Sequence, residues 1–376
     1  MRATFAQLDQ FAFKLKTASI LLGISQNTIR SYIKDSGIKI QRQVSIISQA
    51  PQARQFSLDN IFQLASWRRR KRFKKGEALM PIFIAISSMK AGVGKSTTAA
   101  ELSIQLQLSG QRVLMIDLDS DGKLTQYMGY EPDFESDEAT ENNLSPTAIV
   151  QGTFFDICKV YLTGKKPNNA GYENFAKYTK WPFGIHGPAL IPSDPFLGYF
   201  EREGALSKDR PGLFFSNFFQ DACLGKVPGL QIADFDVVIF DCPSSRTLTV
   251  SNALAIADYV VVPVRLDSFA KKGIAQMVSE VTLSTSKSAG APELIFLPTH
   301  RSDINQKAIR MWKRLHSYKK SLSDISIGTT DLFTASQNEY VPLSIKLPES
   351  SPVMEYRDFT NYLLQKFSVI KTVSSS

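Results

Sequence analysis

The stretch SSMKAGVGKSTTAAELS (Ser87 to Ser103) holds two lysines, Lys90 and Lys95, five residues apart around a glycine-rich turn. Glycines at 92 and 94 let a backbone approach an anion closely. Successive N–H groups at the start of a helix form a nest with the positive end of the helix dipole behind it. Lys90, Ala91, Gly92, Val93, Gly94, Lys95, Ser96 and Thr97 therefore read as a phosphate-binding loop. Lys95 would reach the β- and γ-phosphates of a nucleotide, and the Ser96 hydroxyl would ligate Mg²⁺. The usual pattern places a glycine five residues before Gly94, where this chain has Met89. A merely structural turn gives no reason for a lysine followed by hydroxyl residues.

Carboxylates stand where such a loop needs them. VLMIDLDSDG places Asp117 and Asp119 at the end of one apolar run, and VVIFDCPSS places Asp241 at the end of another. Open α/β sheets bind ligands at the carboxyl ends of their strands. An aspartate after four apolar residues suits a Mg²⁺ ion held through water. The plainer reading is that these aspartates cap turns.

A second chemistry is written in the charge. The chain of 376 residues has a net charge of +9, and residues 1–80 hold 15 Lys/Arg against 4 Asp/Glu, so the positive excess lies there. Such asymmetry suggests a segment that meets a polyanion. TASILLGISQNTIRSYIKDSG (Thr17 to Gly37) reads as two short helices around Gly23, with Ser25 capping the second and Ile29 and Ile33 turned inward. Gln26, Asn27, Arg30, Ser31 and Lys34 then share the outer face, where they could bond base edges and phosphates. IKIQRQVSIIS alternates as a wing would. FSLDNIFQLASW predicts another helix with Ser57 near its cap, and RRRKRFKK (Arg68 to Lys75) is either a solvated linker or a phosphate contact. Near the other end, RSDINQKAIRMWKRLHSYKK predicts a helix from about Asn305. It would present Lys307, Arg310 and Arg314 on one face, as a solvated surface or as a track for DNA phosphates.

The elements that must carry these groups are legible from Pro81 onward. IFIAIS, VLMID, VVIFD, YVVVPV and LIFLP are short buried strands by their β-branched content, with helices between them at Ser96–Ser109 and Gly273–Ser286. That alternation implies an α/β fold, a mostly parallel, doubly wound sheet of the P-loop type, preceded by a small winged helix-turn-helix domain. The expected division is 1–80 for the DNA-binding domain with its basic linker and 81–376 for the nucleotide domain, with 131–230 as an elaborated insertion. Three scattered cysteines and three histidines without ligand-like spacing argue against a disulfide framework or a metal cluster. No apolar run reaches membrane-spanning length and the N-terminal residues MRATFAQLDQFAF lack the charged-then-apolar layout of a signal peptide, so a cytoplasmic, nucleoid-associated location and no membrane partner are expected.

KAGVGKSTTA, VLMIDLDSDG, FDVVIFDCPSS and ALAIADYVVVPVRLDSFAKKGI, in that order, resemble the ParA family of deviant Walker A ATPases over roughly residues 82–367. The N-terminal helices are similar to those of the larger plasmid-partition members. The resemblance implies a weak, partner-stimulated ATPase using ATP and Mg²⁺. It implies an ATP-dependent homodimer that coats nucleoid DNA non-specifically, is released by a ParB-like partner, and represses its own operon through operator DNA. By the same resemblance Lys90 crosses to the partner subunit's ATP, Asp119 positions the attacking water and Asp241 associates with Mg²⁺. Ala91 stands where the family has glycine, and DSDG stands for DPQG, which places Asp121 beside the water site. A membrane-positioning ATPase of the MinD kind, using Met354–Phe367 as an amphipathic helix, and a nucleotide-gated repressor without a segregation role are the alternatives.

Overall fold

The computed structural model describes residues 11–42, 53–72, 80–133, 145–163, 178–199, 213–227, 229–286, 290–302, 309–311, 313 and 315–373. In the N-terminal part, α1 (Leu15–Leu22) ends at Gly23, whose φ of 60° is the left-handed conformation that glycine adopts without strain. The hydroxyl of Ser25 accepts the Thr28 N–H at 3.1 Å and so starts α2 (Gln26–Ser36). Ile29 is fully buried and Ile33 half-buried, whereas Gln26, Asn27, Arg30, Ser31 and Lys34 are exposed. Three short antiparallel strands, β1 (Ala12–Phe13), β2 (Gln41–Arg42) and β3 (Arg54–Ser57), form a sheet in the order β1-β3-β2. Most of the expected wing lies outside the described residues.

Helix α3 (Leu58–Arg72) begins with a reciprocal cap. Ser57 Oγ accepts the Asn60 N–H at 3.1 Å, and Asn60 Oδ1 accepts the Ser57 N–H at 3.2 Å. The start of the basic run is not a solvated linker. Arg69 grips Asp236 with two parallel bonds of 2.6 and 2.8 Å, and Arg68 donates to the Leu22 carbonyl. Lys74 and Lys75 lie outside the described residues.

The central sheet has six parallel strands: β4 (Ile82–Ile86), β5 (Val113–Asp117), β6 (Ala189–Ile191), β7 (Val237–Asp241), β8 (Tyr259–Arg265) and β9 (Glu293–Thr299), in the order β6-β5-β7-β4-β8-β9. Alternate side chains divide between two cores, as a strand period of two requires. Phe83 and Ala85 face α6 (Phe154–Thr163), α7 (Phe214–Cys223), α8 (Leu248–Ile256) and α9 (Ala270–Thr285). Ile82, Ile84 and Ile86 face α4 (Lys95–Leu108), α12 (Ser351–Val373) and the N-terminal helices.

Two features depart from what the sequence predicts. Residues 131–230 are more than an insertion, because they supply the edge strand β6 and the aromatic helix α7. Phe219 of α7 packs against Phe83 and Phe240 with ring centroids 5.3 and 5.5 Å apart. The N-terminal helices share a continuous apolar core with the sheet face that carries α4. Helix α12 buries Val353, Tyr356, Phe359 and Leu363, and Tyr356 bonds Thr98 of α4 at 2.9 Å. Among the described residues no helix is long and apolar enough to cross a membrane.

Candidate phosphate-binding site

The phosphate loop joins β4 to α4. Gly92 and Gly94 have φ of 69° and 89°, the region that favours glycine. Ala91 is not among the positive-φ residues, so its Cβ brings no backbone strain. The departure from glycine at this position is thus compatible with the loop. Thr299, at the end of β9, donates to the Val93 carbonyl at 3.0 Å and braces the loop from the far side. Lys95 is only 8% exposed, and its ammonium donates to Ser244 Oγ at 2.5 Å.

The strand ends bring the carboxylates together: Asp117 and Asp241 are paired positions on neighbouring β5 and β7. Their circumstances differ. Asp117 accepts from the Thr125 N–H at 2.9 Å, the Thr125 hydroxyl at 2.7 Å and the Asp119 N–H at 3.1 Å. Burial pushes its carboxyl up to about 7. Asp117 therefore holds the turn that presents Asp119 and is not itself on the cleft, so the turn-capping alternative applies to it. Asp241 is fully buried and neither carboxylate oxygen has a hydrogen-bond partner. Burial, and then Asp117, raises its carboxyl well above the ordinary range. Ser96 and Lys95 lie close enough to offset this in part. An orphaned, desolvated carboxylate beside a loop hydroxyl is what a divalent cation would satisfy, so Asp241 and Ser96 fit a Mg²⁺ ion.

A cleft of about 1050 Å³ opens over the loop, with Lys95, Ser96, Thr97 and Asp119 in its wall. Asp119 is partly exposed and accepts the Asp121 N–H at 3.1 Å, and Asp121 pairs with Lys123 at 2.7 Å. Residues that no sequence motif marked also line the cleft. Phe333 and Gln337 of α10 (Leu332–Asn338), with Tyr340 and Tyr356, line it. Gln337 donates to Thr97 at 2.9 Å. Buried Glu101 of α4 accepts from the Tyr127 hydroxyl at 2.7 Å and from the Leu343 and Ser344 N–H groups at 2.8 and 2.9 Å, tying α11 (Leu343–Lys346) to the loop helix.

Lys90 is not among the residues lining this cleft. Its ammonium forms an ion pair with Asp267 and lies 5.8 Å from the centroid of the exposed Phe269 ring. Burial would raise the Asp267 carboxyl, but Lys90 and the Phe269 N–H outweigh it and hold it below the usual range. Of the expected DNA-contacting residues, Gln26, Asn27, Arg30 and Lys34 share the open face of α2, and Arg30 donates to Asn27 Oδ1 at 2.6 Å. Arg310 is exposed on a helical turn, while Arg314 lies outside the described residues.

The family model described as AAA domain matches residues 82–290, more than half of the chain. The sporulation initiation inhibitor protein Soj of Bacillus subtilis is 28% identical over 200 residues, covering 53% of this chain and 64% of its own length. The chromosome partitioning protein ParA of Myxococcus xanthus is 26% identical over 212 residues, covering 56% and 62%. The matches thus span less than two thirds of either relative. A crystal structure of cobyrinic acid a,c-diamide synthase from Mycobacterium smegmatis with ADP and magnesium superimposes with a TM-score of 0.57, at 22% identity, over 77% of this chain and 96% of that one, a likeness of fold. The matched segment contains the phosphate loop and both aspartate-bearing strands, so the chain belongs to this AAA domain family, and over that segment it is similar to the Soj and ParA proteins.

Proposed function

We propose that the chain is a DNA-partition ATPase that binds ATP with Mg²⁺ in the cleft over Gly92–Thr97. The observation that carries this is the conjunction of a glycine loop at positive φ and buried Lys95 on the cleft with orphaned Asp241 buried behind it, close enough to Lys95 and Ser96 to feel both. Lys95 would bind the β- and γ-phosphates, and the N–H groups at the start of α4 would orient them. Asp241 and Ser96 would hold Mg²⁺, whose role is to neutralise phosphate charge. Asp119, presented by the Asp117-braced turn, would position the attacking water.

Further properties rest on the family likeness. Lys90 would leave Asp267 and reach the partner subunit's nucleotide, making hydrolysis report on ATP-dependent dimerisation. A ParB-like protein would stimulate that step, and the dimer would sit on nucleoid DNA. Helix α2 would read operator DNA through Gln26, Asn27, Arg30 and Lys34. The polar, exposed face of α2 also favours a second reading, a nucleotide-gated repressor with no segregation role. One comparison separates the DNA modes. Arg310→Ala with Arg314→Ala should weaken sequence-independent, ATP-dependent binding and flatten its log–log salt slope by about 0.9 for each phosphate left unneutralised. Arg30→Ala should remove operator preference alone. Identical effects of the two changes would defeat the two-mode assignment.

A further inference from the structure

Lys123 stands at the first position of α5 (Lys123–Tyr127), directly after Gly122, whose φ of 60° turns the chain out of the Asp-Ser-Asp sequence. No motif marks this residue, yet the fold sets it in the wall of the same cleft as Lys95. Among the described residues, Lys95 and Lys123 are the lysines lining that cleft, and no arginine lines it. Asp119 and Asp121 line it too. His300 is the other titratable base there, and burial, then Arg265 and Lys90, lower its pKa and keep it neutral. The lysine charge of the cleft is therefore matched by its own aspartates, before any account of Asp241 behind it. A nucleoside triphosphate would bring a polyanion into this balance. Lys90, tied to Asp267 outside the cleft, does not correct it within one chain.

Lys123 can correct it. Its partner Asp121 is 2.7 Å away, but the two side chains are 62% and 63% exposed. An exposed pair of this kind holds only weakly, with a median worth of about 0–1 kcal/mol. The ammonium sits on a flexible stem that reaches roughly 6 Å from its Cα. Asp119 and Asp241 already act on it, after Asp121, to favour its charged form. The ammonium thus lies in the field of the groups expected to surround the terminal phosphate and its cation. Lys95, by contrast, is buried and fixed on Ser244.

We propose that Lys123 is a second phosphate-binding lysine of this chain, held by Asp121 until a nucleoside triphosphate binds and then transferred to its terminal phosphate. This rests on the nucleotide-binding reading and deepens it. Lys123 would distinguish triphosphate from diphosphate, because a diphosphate leaves no terminal group at its end of the cleft. It would also supply in cis part of the charge that Lys90 brings in trans.

The test uses the full chain with Mg²⁺ and compares equilibrium affinity for ADP and for a non-hydrolysable ATP analogue. Measurement at chain concentrations low enough to keep it monomeric isolates the in-chain effect. Lys123→Met keeps the apolar stem and should weaken the analogue about 10-fold while changing ADP less than about 2-fold. Lys123→Arg should restore most of the preference. Equal changes for both nucleotides, or none, would overturn the proposal, as would a loss seen only at concentrations where the chain self-associates. A wild-type chain that binds neither nucleotide would instead overturn the nucleotide reading itself.

Discussion

Replacing Asp241 by asparagine should make the metal-free protein more stable and the Mg²⁺-ATP form less so. Asp241 is fully buried with both oxygens unpartnered, and burial together with Asp117 raises its carboxyl well above the usual range. An uncompensated buried charge costs about 3–5 kcal/mol, and the asparagine amide carries its own desolvation cost of about 1–3 kcal/mol. At the midpoints of the two ranges the net gain is about 2 kcal/mol. Unfolding entropy of about 2.1 cal/mol/K per residue over 376 residues converts this to a rise of about 2–3 °C. The sign with pH follows from linkage. A carboxyl whose folded pKa is raised contributes stability at low pH that is lost as pH rises from its unfolded value through its folded one. The wild-type penalty cannot exceed the cost of protonating the group, about 5 kcal/mol near pH 7.5 and about 1.6 kcal/mol near pH 5. The advantage of asparagine must therefore shrink on acidification. Calorimetry or thermal denaturation at both pH values, with and without Mg²⁺-ATP, reads all of this. Saturating ligand at about 100 times its Kd should add about 2.7 kcal/mol to wild type and much less to the variant. A metal-free variant melting below wild type, or equal stabilisation of both by Mg²⁺-ATP, would refute the cation-site assignment.

Asp267→Asn releases Lys90 from a pair about one third exposed, worth at most about 1 kcal/mol, and should strengthen ATP-dependent self-association up to about 5-fold by sedimentation. Unchanged association would show that the pair does not restrain Lys90. Arg69→Ala removes a bidentate, partly buried clamp and should cost about 2 kcal/mol, seen as faster hydrogen exchange in α1 and α2 with nucleotide affinity retained. Exchange confined to α3 would argue against a docking role. Burial, then Asp156, pushes the Asp194 carboxyl up to about 6, so its own contribution to stability should fall by about 1–2 kcal/mol as pH rises from about 4 to 6, and in urea titrations Asp194→Asn should remove that part of the slope and leave the part due to Asp117 and Asp241.

The sequence is most informative where function restricts residue type. Five of the six parallel strands are readable because strands buried on both faces are continuous apolar runs, and the loop is readable because an anion nest needs glycine and lysine at fixed spacing. Strand β6 is not, since Ala189–Ile191 is three residues at a sheet edge within an aromatic, proline-containing stretch. The wall formed by Phe333, Gln337 and Tyr356 is equally silent. Those side chains meet the loop through contacts some 240 residues distant in sequence, such as Gln337 with Thr97, and ordinary helix residues carry no spacing signal. Asp117 and Asp241 look alike in sequence, each ending an apolar strand. Only the three donors around one and none around the other separate a turn brace from a cation ligand.

The same geometry explains why a basic helix end belongs to the body that carries the phosphate loop. Helix α4 rises from Lys95 at the phosphate loop and, at about 1.5 Å per residue, carries its last residue roughly 20 Å away. There the turn at Gly110 meets α3 so closely that a Cβ on Gly110 would lie 3.3 Å from the Ala65 carbonyl. Asp236 sits at the foot of β7, whose other end is Asp241, and it accepts both Arg69 of α3 and the Arg112 N–H before β5. The N-terminal helices are thus fixed to the opposite ends of the two elements that bear Lys95 and Asp241. Any displacement of α4 or β7 on nucleotide binding must move α3 or break the Arg69–Asp236 clamp. A hinged linker would isolate α2 from the cleft, whereas this packing joins it through a shared core to the helix and strands that carry the phosphate loop.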